Sequence, residues 1–129
     1  MRSWTYQELY DQADLVVVGK PVSTEDTAEK AVLHPIAPDV HVVGLSTAFE
    51  ISVVMKGEKS AKRCVLHHYR LEDPTQSIAD GPRLAAFDPK QNTRFLLFLH
   101  REDDGRYSPV SGQTDPALFS VLMLYGAAH

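Results

Sequence analysis

The stretch Ser46–Lys56 reads STAFEISVVMK, and its alternation decides the fold class. Successive side chains of a strand point to opposite faces, so every second residue here shares one face. The more apolar face carries Thr47, Phe49, Ile51, Val53 and Met55. The pattern predicts a half-buried strand with this face toward a core. The preceding run, His41–Leu45, predicts an extension of the strand with a bend or bulge at Gly44, a device by which small barrels turn corners.

Further runs predict strands on both sides of this one along the chain. The β-branched run Ala13–Lys20 (ADLVVVGK) predicts a strand buried on both faces, and Lys62–Leu71 and Thr93–His100 predict two more. Asp103-Asp104-Gly105 is typical of a hairpin turn, and it leads into a last short strand at Arg106–Val110. With the alternating strand, the count is five.

Helix signals stand at the two ends of the chain. Thr5–Glu8 has the form of a capping box and predicts a helix that runs to about Gln12. Asp115-Pro116 supplies an N-cap and a first-turn proline, which predict a second short helix to about Tyr125. The spacers between the strands do not have a helical pattern, which argues against parallel βαβ units. We therefore predict one mainly β domain over residues 1–129: a five-stranded antiparallel OB-like barrel with a short N-terminal helix and a short C-terminal helix.

Two segments between the strands predict long loops. Ser23–Asp39 has mixed charge and contains two prolines, with a short edge strand inside it as an alternative, and Glu72–Asn92 is interrupted by three Asp-Pro or Gly-Pro pairs. Binding residues concentrate on loops that a rigid scaffold positions. These two loops are therefore the predicted surface for recognising a partner.

Composition limits the partner and the compartment. The net charge is −4 and lysine and arginine do not cluster, which disfavours binding to nucleic acid. Cys64 is the single cysteine, so the sequence excludes an internal disulfide and predicts a small buried side chain. No run reaches the roughly 20 apolar residues of a membrane span. We expect a monomer or weak dimer, extracytoplasmic if an export signal was trimmed and cytoplasmic otherwise.

Three runs together resemble netrin-like domains: ADLVVVGK at 13–20, STAFEISVVMKG at 46–57 and RFLLFLHREDDGRY at 94–107. That family contains the OB-type barrels of tissue inhibitors of metalloproteinases and of uncharacterised bacterial relatives. The resemblance covers most of the chain and implies the barrel fold and, from the bacterial relatives, export. The animal inhibitors chelate the zinc of a protease through an N-terminal cysteine. This chain has no cysteine there, so the resemblance implies no inhibitory residue in it.

The six histidines are the candidates for a metal site or for acid–base chemistry. His67 and His68 are adjacent on a predicted strand, so they point to opposite faces and do not bind one ion together. A zinc site requires one of them with His100, His41 or a carboxylate. The sequence lacks a nucleophile elbow, a glycine-rich phosphate loop and an EF-hand. We predict no catalytic residue, no cofactor and no enzymatic activity, with a metal-dependent hydrolase as an alternative.

A second group of candidates is aromatic and basic. OB barrels bind single strands by stacking bases on aromatic rings along a positive groove. The side chains that fit such a surface are Tyr69, Arg70, Arg94 and Tyr107. The acidic balance of the chain opposes this alternative. We therefore predict a binding module for a protein or peptide, with single-stranded nucleic-acid binding as an alternative.

Overall fold

The structure is a computed structural model that describes residues 5–33, 40–73, 87, 92–111 and 121–124. Its elements are the helix α1 (Tyr6–Gln12) and the strands β1 (Leu15–Leu33), β2 (Val40–Lys56), β3 (Arg63–Leu71), β4 (Phe95–Arg101), β5 (Tyr107–Pro109) and β6 (Val121–Met123). The helix begins as predicted, because the Thr5 hydroxyl accepts from the Glu8 amide and the Glu8 carboxylate accepts from the Thr5 amide. No helix in these ranges is both long and apolar enough to span a membrane.

Five strands close into a barrel in the order β1-β2-β3-β5-β4, and β4 pairs back to β1. The closing pair is antiparallel and covers Leu15–Gly19 of β1. The pair β3–β5 is parallel, with Leu66 opposite Tyr107. The barrel is therefore mixed, and the prediction of an antiparallel barrel is wrong at this pair. The reason is geometric, since strand direction cannot alternate all the way around a closed ring of five.

The first predicted loop is largely strand. β1 stays paired with β2 to its last residue, so residues 23–33 are strand and not loop, a longer edge strand than the short one that the sequence allowed. Beyond Gly19, β1 pairs only with β2 among the described strands. An edge strand in contact with water tolerates charged residues, and its composition therefore resembles that of a loop. Residues 34–39 and most of the second predicted loop, Glu72–Asn92, lie outside the described residues.

The alternating face of β2 is confirmed in its first half only. Odd-numbered residues from 47 to 51 are buried, whereas Val53 and Met55 are 51% and 47% exposed. Between these two groups β1 advances by one residue, from Val18 to Gly19, while β2 advances by two. Such a bulge reverses the faces of the residues that follow it. The prediction that Val53 and Met55 face the core is therefore wrong.

Two apolar cores lie on the two sides of the barrel wall. The buried residues of the inner core include Val17, Phe49, Cys64, Leu66 and Leu97. Those of the outer core, next to α1, are Leu9, Ala13, Val16, Phe98 and Val110. Consecutive residues of β1 thus enter different cores, which confirms the prediction of a strand buried on both faces. Cys64 is buried as predicted, and this burial raises the pKa of its thiol to about 12.

The C-terminal helix predicted from Asp115 to Tyr125 is not confirmed. Val121–Met123 form β6, which pairs antiparallel with β4. A short apolar run of this kind fits a strand as well as a helix, and here an available strand edge decides the outcome. The predicted N-cap at Asp115 lies outside the described residues.

Candidate functional site

Adjacent histidines on β3 face opposite sides of the barrel wall. His68 faces inward, where its Nε2 lies 2.6 Å from the Thr47 hydroxyl and its ring packs edge-to-face against Phe87. His67 faces outward but is only 5% exposed. The opposition confirms the prediction from strand geometry, and it leaves the two rings in different surroundings.

His67 lies between two carboxylates. Its Nε2 is 2.5 Å from Glu29 Oε1, and its Nδ1 is 2.9 Å from both carboxylate oxygens of Glu102. A carboxylate only accepts hydrogen bonds, so both ring nitrogens must carry protons if both contacts are hydrogen bonds. The geometry therefore fits an imidazolium held by two charge-assisted hydrogen bonds.

Glu29 reaches His67 because β1 bulges at this point. Between Asp26 and Lys30, β1 advances by four residues while β2 advances by two. The Thr27 hydroxyl holds the bulge, since it donates to the Gly44 carbonyl at 2.8 Å and accepts from the Glu29 amide at 3.2 Å. Bulges of this kind re-aim side chains.

Gly44 leaves room for the Glu29 side chain to reach His67. A Cβ atom at Gly44 would lie 3.0 Å from both the Cβ and the Cδ of Glu29, and closer still to its carboxylate. The missing side chain therefore leaves the space through which Glu29 passes over β2. The sequence predicted a bend or bulge at Gly44, and the structure places a bulge on the partner strand β1.

The second carboxylate comes from the turn between β4 and β5. This is the predicted Asp-Asp-Gly hairpin, in which Gly105 has a φ of +88° and its amide donates to the Glu102 carbonyl at 3.1 Å. Arg106 follows the turn and donates from Nε to Asp104 at 2.8 Å and from Nη1 to the Ser46 hydroxyl at 3.1 Å. The hairpin thereby sets Glu102 and Arg106 beside β3.

The ionisation of these groups is coupled. The Tyr69 hydroxyl donates to Glu29 Oε2 at 2.9 Å. Burial opposes the ionisation of Glu29, but hydrogen bonds from Tyr69 and His67 and the charges of His67 and Arg106 outweigh it, so the pKa of Glu29 lies below its ordinary value. Burial, followed by the bond to Glu29, raises the pKa of Tyr69. We call these five residues the His67 cluster: Glu29, His67, Tyr69, Glu102 and Arg106.

The other predicted metal candidate has a separate partner. His100 Nδ1 lies 3.8 Å from Asp14, whereas His67 and His68 contact the groups given above. Within the described part of the chain, no group of three or more histidine, cysteine or acidic side chains is arranged to hold a metal ion.

The four predicted binding residues have different surroundings. Tyr69 is 6% exposed, and Tyr107 packs partly buried against the inner core. Arg70 contacts both carboxylate oxygens of Asp26, at 3.0 and 2.9 Å. Arg94 is exposed, and its carbonyl accepts the Leu124 amide at 3.0 Å.

A second candidate surface was missed by sequence reasoning. Among the described residues, the large hydrophobic side chains that are exposed are Tyr6 (69%), Val53 (51%), Met55 (47%) and Tyr10 (36%). Tyr6 and Tyr10 lie one turn apart on α1, and the Tyr10 hydroxyl donates to the Met55 carbonyl at 3.2 Å. We call these four residues the α1–β2 surface. Its signal in the sequence was hidden by the bulge in β2.

The two candidates differ in what they offer to another molecule. In the His67 cluster the carboxylates, the ring and the phenol bind one another, so a substrate must displace a protein contact to reach any of them. The α1–β2 surface presents side chains that are already in contact with water. Comparisons with known proteins found no matching family model, no matching curated protein and no matching solved structure.

Proposed function

We propose that this protein is a non-enzymatic binding module that recognises a protein or peptide through the α1–β2 surface. The observation that carries the proposal is the contact of exposed Tyr10 with exposed Met55, with exposed Tyr6 one turn away on α1 and exposed Val53 two residues away on β2. Exposed apolar groups that cluster in this way mark interaction sites on proteins. Tyrosine and methionine are also enriched at protein interfaces.

The charges around the surface specify the partner. Lys56 donates from Nζ to the Tyr10 carbonyl at 2.7 Å and lies 5.1 Å from the centre of the Tyr10 ring. Lys59 donates to the carbonyls of Val54 and Met55 at 3.1 and 3.3 Å. Neither lysine forms a salt bridge with a carboxylate in the described ranges. A partner with apolar side chains flanked by carboxylates complements both features.

The strand order supports the OB-like part of the proposal. A barrel that closes through an antiparallel β1–β4 pair and a parallel β3–β5 pair is compatible with a five-stranded OB barrel. Membership of the netrin-like family is a narrower proposal, and it rests on the three sequence runs alone. Residues 23–33 of the first predicted loop are strand, so we place recognition on the α1–β2 surface, while recognition through the second predicted loop, Glu72–Asn92, stays a prediction.

Placement of the aromatic candidates disfavours the nucleic-acid alternative. Base stacking needs exposed ring faces along a positive groove, whereas Tyr69 is buried and donates to a carboxylate. Arg70 is paired with Asp26. The hydrolase alternative depends on His67 or His68 acting together with His100, and each of the three has a different partner.

Selection from a displayed library of random peptides tests the proposal. We expect the wild-type protein to enrich peptides that combine apolar and acidic residues. The double substitution Val53→Ser and Met55→Ser should weaken their binding by at least about ten-fold, because burial of each apolar side chain contributes about 1.5–3 kcal/mol. Replacement of Lys56 and Lys59 by glutamine should make the remaining affinity less sensitive to salt.

Glu25→Ser is the matched control, since Glu25 is exposed on β1 away from this surface. It should leave peptide binding unchanged. The proposal fails if the enriched peptides bind the Val53→Ser, Met55→Ser protein as tightly as the wild type. It also fails if the wild-type protein enriches no peptide.

A further inference from the structure

We propose that His67 is a proton-dependent latch that holds the far half of β1 against the barrel. In its doubly protonated form the ring joins Glu29 on β1 to Glu102 at the end of β4. Loss of one ring proton leaves one donor for two carboxylates, and the Glu29 end then opens. The latch is independent of the α1–β2 surface and of any partner bound there.

Several local features serve this one contact. The β1 bulge turns Glu29 toward β3, the Thr27 hydroxyl fixes the bulge to the Gly44 carbonyl, and the absence of a side chain at Gly44 leaves room for Glu29. An ordinary surface ion pair needs none of these. The local fold is thus built around a carboxylate that meets a buried imidazole.

Four described elements place polar or charged groups beside His67. β1 supplies Glu29, β3 supplies Tyr69, and the β4–β5 hairpin supplies Glu102, Asp104 and Arg106. From β2, the neutral Ser46 lies opposite His67 and binds Arg106. Three carboxylates therefore surround the ring, and Arg106 is the single cation among the groups named here. Carboxylate acceptors at both ring nitrogens match a ring that carries both protons.

The hydrogen bond from His67 to Glu29 breaks, and the one to Glu102 does not, because the two carboxylates lie on backbone segments that differ in how easily they open. Beyond Gly19, β1 pairs with β2 alone among the described strands, so this half of β1 lies at an edge. Glu102 belongs to a tight hairpin, where its amide donates to the Arg106 carbonyl at 2.7 Å. The free energy needed for local opening is lower at an edge with fewer backbone partners.

The sign of the pH dependence follows from these charges. The low pKa of Glu29 keeps its carboxylate ionised under mildly acidic conditions, and its contribution is lost only as the pH falls through that lowered pKa. On the other side, rising pH removes a ring proton from His67. The latch is therefore closed in mild acid and opens toward alkaline pH.

Amide hydrogen exchange of residues 20–33 tests the latch. Protection factors, which correct for the intrinsic effect of pH on exchange, would be measured between about pH 5.5 and pH 8.5. We expect wild-type protection in this segment to fall by about ten-fold or more over that range, as for loss of one charge-assisted hydrogen bond. In the His67→Gln variant, protection should be low throughout and should not vary with pH.

His100→Gln is the matched control, because His100 is also a strand histidine near a carboxylate but lies outside the His67 cluster. It should keep the wild-type pH profile. If His67→Gln does not fold, Glu29→Gln and nitrogen NMR of the wild-type ring replace it. The latch is refuted if wild-type protection does not vary with pH, or if His67→Gln or Glu29→Gln keeps the wild-type pH profile. It is also refuted if the His67 ring carries a single proton while the segment is protected.

Discussion

The two faces of β3 place chemically identical neighbours in opposite environments. His68, on the inner face, binds the neutral hydroxyl of Thr47 and packs against Phe87. His67, on the outer face, binds two carboxylates. Both rings are buried, and among the contacts between described residues His68 has a hydroxyl partner whereas His67 has two carboxylates.

The two faces of β3 therefore contribute to the stability of the barrel in different ways. The apolar side chains of the inner face stabilise the barrel through the area that they bury, which does not depend on protonation. The contribution of the outer face depends on which groups carry protons. The same strand thus gives the barrel a fixed interior and a wall contact that can open.

The largest expected effect is on the inner face, at Phe49. This side chain is fully buried and lies edge-to-face with Phe87 and Phe95, with ring centres 5.0 and 6.4 Å away. Phe49→Ala should lower the free energy of unfolding by about 3–5 kcal/mol, through lost burial and the cavity left behind. Urea unfolding measures the change.

The loss should be equal at mildly acidic and mildly alkaline pH if the inner face is insensitive to protons. Val53→Ala is the control on the same strand, because Val53 is half exposed, and it should change stability by less than about 0.5 kcal/mol. Equal effects of the two substitutions would contradict the assignment of inner and outer faces on β2.

A smaller effect is expected where the inner face is polar. The Thr47 hydroxyl lies 2.6 Å from His68 Nε2 and 2.7 Å from the Thr24 hydroxyl. Thr47→Val keeps the shape and removes the oxygen, so the buried ring loses this partner and the protein should lose about 1–3 kcal/mol. Denaturant unfolding at fixed pH is the measurement.

Thr24→Val removes the outer end of the same chain of hydroxyls. Thr24 is exposed, so water can replace its bond to Thr47 and the cost should stay below about 1 kcal/mol. A larger loss for Thr24→Val than for Thr47→Val would show that the chain is not anchored at His68.

Local patterns in the sequence predicted the parts of the fold that depend on neighbouring residues. The capping box at Thr5, the Asp-Asp-Gly hairpin and the alternation from residue 47 to 51 each depend on a few adjacent residues, and each is confirmed. The opposition of His67 and His68 follows from the same strand geometry. These predictions succeed because no distant contact is needed to decide them.

The remainder depends on pairing between distant strands. A bulge is defined against a partner strand, so the exposure of Val53 and the reach of Glu29 cannot be read from either segment alone. Glu29 also lay in a segment whose charge predicted a loop. The meeting of Glu29 with Glu102 at His67 joins residues far apart in sequence, and no single motif contains it.

The sharpest test of the outer face is at Gly44. Gly44→Ala places a Cβ where the Glu29 side chain passes. The carboxylate end of that side chain is flexible, so it should move away and lose its bond to His67, which should cost about 1 kcal/mol. A cycle with Glu29→Ala isolates this coupling: in the Glu29→Ala background, the part of the cost that comes from the displaced carboxylate should disappear, while the 3.0 Å approach to the Cβ of residue 29 remains.

Stability would be measured for all four proteins of the cycle at one mildly acidic pH, where the latch is closed. An undiminished cost of Gly44→Ala without Glu29 would mean that the new methyl group clashes with backbone, and that the glycine serves β2 alone. Loss of the cost together with Glu29 would mean that the glycine serves the carboxylate. The outer face would then be stabilised by the contact between Glu29 and His67, which a single methyl group on β2 can remove. The inner face, in contrast, loses stability only when one of its own side chains is shortened or changed.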